Sequence, residues 1–190
     1  MKTTKPLVQV ALFVALMVVG AWINVTVIPD IPFTLQTFFA LLAGLVLGRR
    51  AGALSQVIYL ALGLAGRPVF AQFRGGIQSF LSPTFGFLLG FILGAFLCGW
   101  IAARTRFLGE LKSAFLGALG GMAAIYLSGI AYFYLLSNEI LHTNLSLFAI
   151  IMMMIPFLIP DALKLGAAAV IGTMIRKRLK DHGLMVDENE

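Results

Sequence analysis

Two opposite charges, Asp161 and Lys164, stand inside the last long apolar stretch of this 190-residue chain, Ile155 to Ile175. A charge near the centre of a bilayer costs at least about 2.5–3.5 kcal/mol on insertion scales. Three residues apart on one helix face, the two offset each other only in part. A chain that keeps such a pair in an apolar interior uses it, and holding a polar solute is the use its chemistry suits. The carboxylate accepts N–H bonds, and the ammonium donates to a carbonyl or a carboxylate. Together they suit a solute that carries an amide-like or urea-like group and an acid, with its apolar part covered by aromatic and aliphatic walls.

Other chemistries lack their residues. The two histidines, His142 and His182, fall in a link and in the C-terminal tail. No metal or histidine base is expected in the bundle, and no cofactor either. There is no GxxxxGK[ST], no HExxH and no serine-nucleophile motif, so the chain does not read as an enzyme. Cys98 is alone, which rules out a disulfide within the chain. Lone polar residues such as Gln56, Tyr59, Tyr126, Ser128 and Tyr132 ordinarily serve as hydrogen bonds between helices.

The elements that position the pair follow from composition. Mean hydropathy is +0.97. Residues are 60% hydrophobic and 12% charged, against about 25% charged in soluble domains. We expect an all-α integral membrane protein, a single membrane domain over 1–190 with six transmembrane helices. The approximate spans are 7–27, 33–47, 51–65, 85–103, 113–136 and 156–175. The first is read as a retained span, since no small-x-small cleavage site follows it. The second and third have 15 residues each, about 23 Å, against a hydrocarbon core of about 30 Å. The final apolar block, from Ser146, is too long for one span. Pro156 and Pro160 are expected to break or bend it, leaving Ser146–Ile155 as a separate helix or half-helix.

Charge sets the orientation. With six spans, Lys2, Lys5, Arg49, Arg50, Arg104, Arg106, Lys112, Arg176, Lys177, Arg178 and Lys180 share one side. By the positive-inside rule both termini are cytoplasmic. The net charge of +6 then reflects topology, and nucleic acid is not a partner. Lys164 is twelve residues from Arg176, about 18 Å of helix, which puts the pair in the outer half of the membrane.

The long external link between the third and fourth helices, Gly66 to Thr84, carries apolar residues that a solvated loop has no reason to hold. It reads as a lid over an external-facing cavity, with Gly75-Gly76 as its flexible point. Glycines at a spacing of four (Gly86, Gly90 and Gly94; Gly44, Gly48 and Gly52; Gly117 and Gly121) mark close helix packing. The residues alone thus reach an external-facing binder of a small, partly polar metabolite.

Longer motifs go further. Ile28-Pro-Asp-Ile-Pro-Phe-Thr-Leu-Gln-Thr37, Leu41-Leu-Ala-Gly-Leu-Val-Leu-Gly48, Gly52-Ala-Leu-Ser-Gln56 with Tyr59, and Gly63-Leu-Ala-Gly-Arg-Pro-Val-Phe70 are followed by Arg74-Gly-Gly76 and Pro160-Asp161-x-x-Lys164. Over essentially its whole length the chain resembles the BioY family, the biotin-specific substrate-binding components of energy-coupling factor vitamin transporters. It departs where the family typically reads Gly-Pro-Thr-Gly-Gly-Tyr and this chain has Ser82-Pro-Thr-Phe-Gly-Phe87. The resemblance implies a subunit in the cell membrane of a prokaryote that binds biotin from outside and hydrolyses nothing. Uptake then needs a membrane T component and two cytoplasmic ATPases. Asp161, Lys164, Gln36, Thr34 and Arg74 would contact biotin, with Phe70 and Phe85 as apolar walls. Ala11 and Ala15 on the first span would dock on the T component. The alternatives are a binding component for another vitamin, or a stand-alone transporter coupled to ions with Asp161 as proton carrier.

Overall fold

The computed structural model describes residues 4–28 and 31–182. Lys2 and the Pro29-Asp30 part of the first external link lie outside the described residues. Helix α1 (Thr4–Trp22) leads into an antiparallel hairpin of β1 (Asn24–Ile28) and β2 (Ile31–Thr34). Four long helices follow: α2 (Gln36–Leu64), α3 (Phe85–Arg104), α4 (Glu110–Leu135) and α5 (Leu147–Asp181). Each of these four lies in a segment long and apolar enough to cross a membrane, and residues 6–22 of α1 make a shorter apolar helix.

The first apolar run is not helical to Val27. The Asn24 side-chain amide donates to the carbonyls of Ala21 (3.1 Å) and Trp22 (3.0 Å), satisfying acceptors that the helix end leaves open. The next residues, Val25, Thr26, Val27 and Ile28, are β-branched and favour extended backbone. They pair with β2, Asn24 opposite Thr34 and Val25 opposite Phe33. The Thr34 hydroxyl then accepts from the backbone N–H of Gln36 (3.3 Å) as α2 begins.

Although α2 is one run of helical residues, it reverses at Gly48, whose φ of 81° only glycine adopts readily. Gln36 and Tyr59, about 34 Å apart along a straight helix, are joined by a 2.8 Å hydrogen bond. Residues 36–47 and 49–64 are therefore two antiparallel arms with no loop between them, which explains why the second and third apolar runs are short.

In α5 the structure corrects the expectation of a break. The helix passes through Pro156 and Pro160 without division. The prolines remove two N–H donors from a helix of 35 residues. Burial of Ile150, Met154 and Phe157 against Ile31 of the hairpin and Phe133 of α4 holds the segment in place. Intramembrane helices tolerate such losses when neighbours cover the site.

The glycine faces pack within the bundle. A Cβ on Gly44 would collide with the carbonyl oxygen of Ala95 on α3, and one on Gly121 would meet Gly94 O at 2.7 Å. Helix α3 thus sits in backbone contact with α2 on one side and α4 on the other. Gly44→Val is expected to cost at least about 1–3 kcal/mol through overpacking, seen as a lower melting temperature of the purified protein.

Candidate functional site

At one end of the bundle lies a cavity of about 720 Å³. Its walls come from β2, the link 65–84, the first turns of α3, Tyr126 of α4 and the α5 face that carries Met154, Phe157, Asp161 and Lys164. The seven residues singled out in the sequence, Asp161, Lys164, Gln36, Arg74, Thr34, Phe70 and Phe85, all line it. They arrive from four separate parts of the chain.

The charged pair is a direct contact. Lys164 Nζ donates to Asp161 Oδ1 at 2.7 Å, and the Tyr126 hydroxyl donates to Oδ2 at 2.6 Å. A carboxylate has about four acceptor positions, so roughly two remain for a solute. Lys164 keeps two N–H donors. Because Asp161 and Lys164 border open space rather than sealed protein, the penalty for their charges is reduced, and both remain usable for recognition.

Gln36 is held differently. It donates to the Tyr59 hydroxyl, which donates in turn to the carbonyl of Val69 at 2.9 Å. One chain of hydrogen bonds thus ties both arms of α2 to the link. Phe70 sits on Gly63 and meets Tyr59 edge-on, with ring centroids 5.6 Å apart. Phe85 is only 1% exposed, so it backs the wall more than it faces the space. The nearer aromatic wall is Phe33 stacked on Phe157, with centroids 4.0 Å apart.

Gly75-Gly76 is held by close contacts in this structure. A Cβ on Gly75 would overlap the Arg67 carbonyl, and Gly76 N–H donates to Gly63 O at 2.7 Å. Gly76 has φ of +91°. The pair is needed for close approach and for a left-handed turn. Elsewhere the link is tied down by Trp22 Nε1 donating to Pro68 O (3.0 Å) and by Tyr132 OH donating to Phe80 O (2.5 Å). Its Gln72 and Phe73 both adopt positive φ, a strained state that recurs at ligand clamps. Ala11 and Ala15 do not line the cavity; both are exposed on α1.

Comparison with known proteins places this geometry. The family model described as BioY family matches residues 1–181. The chain belongs to the BioY family. It is 39% identical over 174 residues to a protein of Thermotoga maritima named biotin transporter BioY, covering 91% of this chain and 96% of the relative. A probable biotin transporter BioY of Pyrococcus horikoshii is 41% identical over 167 residues, 88% of this chain and 93% of the relative. A solved structure, the S-component for biotin from an ECF-type ABC transporter, superposes with a TM-score of 0.76 at 26% identity, covering 93% of each chain. Membership in the BioY family makes this a multi-pass membrane protein and a transporter component, not an enzyme. In this BioY-family chain Phe87 lines the cavity and meets Tyr126 edge-on, centroids 6.1 Å apart. Position 87 thus carries no phenol itself, and the phenol beside it is that of Tyr126 on α4. Tyr126 makes the bond between helices that its type and place suggest, but nothing local in the sequence shows that its partner, 35 positions away, is Asp161.

Proposed function

We propose that this chain is the biotin-capturing subunit of an energy-coupling factor transporter. The observation that carries this reading is the Asp161–Lys164 pair at the wall of an aromatic-lined cavity, beside Gln36 and Arg74. Biotin offers matching parts: a ureido group with N–H donors and a carbonyl, an apolar body, and a valerate carboxylate. Asp161 accepts a ureido N–H. Between Lys164 and Arg74, one takes the ureido oxygen and the other the valerate. Thr34 and Gln36 border the same space, while Phe70 and Phe85 support its apolar side. The name and the fold of the relatives support the substrate.

In this reading α1, the two arms of α2, α3, α4 and α5 make six transmembrane helices, with both termini cytoplasmic and the cavity facing outward. The link between the third and fourth helices acts as a lid, whose opening breaks the bonds to Gly63, Tyr59, Trp22 and Tyr132. Ala11 and Ala15 dock on a T component, and two cytoplasmic ATPases drive release inward across the plasma membrane of a prokaryote. Calorimetry of the purified protein against a panel of vitamins tests the core of this: heat is expected with biotin and none with riboflavin or thiamine. Binding of another vitamin in its place, or biotin uptake into vesicles driven by a proton gradient alone, would sink it.

A further inference from the structure

A second cavity, of about 350 Å³, lies at the opposite end of the same helices, where α3 ends, α4 begins and α5 finishes. Three cations line it, Arg106, Arg176 and Lys180, against one carboxylate, Glu110. Arg176 spends one N–H on the carbonyl of Leu45 (3.1 Å), which accounts for its own position but not for Lys180 beside it. Helix α4 starts here behind Gly109, which has no side chain to cap it, and its first turn carries Glu110, so the positive end of the helix is offset only by that carboxylate. The inner surface combines apolar Leu45 and Ala114 with the hydroxyl side chains Ser113 and Thr173, while Arg106 and Lys180 stand at its exposed mouth.

We infer that this cavity binds a phosphate-bearing anion, held as the headgroup of an anionic lipid. The flanks favour a lipid over an acidic protein segment. Phe115 of α4 and Val170 and Met174 of α5 are exposed apolar residues on the two helices that bear the site. A ligand that satisfies both surfaces has a charged head and an apolar body. Basic pockets between helices at the cytoplasmic boundary are suited to such headgroups. This inference does not depend on the identity of the solute in the larger cavity.

The test is native mass spectrometry of the purified full chain titrated with phosphatidylglycerol, phosphatidylcholine or inorganic phosphate. Phosphatidylglycerol adducts are expected at lower concentration than phosphatidylcholine adducts. Lys180→Gln and Arg176→Gln should each raise the half-saturating concentration about five-fold. The double substitution Lys177→Gln and Arg178→Gln, exposed like Lys180 but outside the cavity, should change it less than about two-fold. A melting temperature equal to the parent's certifies the fold of each variant; should Arg176→Gln unfold, Lys180→Gln decides. Inorganic phosphate binding with the same dependence on Lys180 keeps the site and assigns a free anion as its occupant. Equal weakening by the Lys177/Arg178 variant reduces the effect to general surface attraction and overturns the inference. So does the absence of any binding by lipid or phosphate, which leaves an acidic side chain of a partner protein as the occupant.

Discussion

Lys164→Met is expected to weaken biotin binding by at least about ten-fold, or about 1.4 kcal/mol, with Asp161→Asn having a comparable effect. Each removes a charge that faces the cavity and strands its partner 2.7 Å away. Losing one member of such a largely enclosed pair costs more than losing both, because the remaining charge has only the cavity to compensate it. The double variant Asp161→Asn/Lys164→Met should therefore melt at a higher temperature than Lys164→Met alone, yet bind no biotin. Stability and binding move in opposite directions, which a purely structural ion pair would not produce. Tyr126→Phe should fall between, since it removes one of two donors on the carboxylate and leaves the charges intact. Calorimetry and thermal melts of the four variants decide this, and normal biotin binding by both single charge variants would refute the site.

Ala11→Trp or Ala15→Trp should abolish uptake in cells while leaving biotin binding by the isolated subunit unchanged. Both alanines are exposed on α1, whereas the neighbouring Phe13, Val14 and Met17 are buried against the bundle. A large side chain at either position therefore meets no neighbour within the subunit. It would instead hold a docking helix away from the close contact that small residues permit in membranes. A pull-down of the T component, run beside a biotin-binding assay, separates the outcomes. If the variants lose binding together with uptake, the alanines serve internal packing and the docking role fails.

How much of this was legible in the sequence depended on whether the cue was local. The Asp161–Lys164 pair stands out because charge in an apolar run is costly. The motif around Gln36 and the link residues 70 and 74 belong to segments that line the cavity, and the second and third apolar runs are short as their lengths in the sequence suggest. Gly48 explains the shortness of those runs, since a left-handed glycine can reverse a helix where a loop would otherwise be needed. Four features have no local cue. The strand at Asn24–Ile28 hides in an apolar run, because β-branched residues are as hydrophobic as a helix face. The continuity of α5 through two prolines depends on tertiary burial, which outweighs the local penalty. The Tyr126 contact joins residues far apart in the chain, and the Phe33–Phe157 stack needs the strand to be known first.

The reversal at Gly48 also leaves the chain no spare length at that point. Each residue of an α-helix advances the side chains by about 100°, so one residue added after Gly48 would turn the second arm by that angle. Tyr59 would swing away from Gln36, and with it would go the hydroxyl that holds Val69. A one-residue insertion at this turn is therefore expected to disturb the link at the cavity, although the turn lies at the far end of the arms from it.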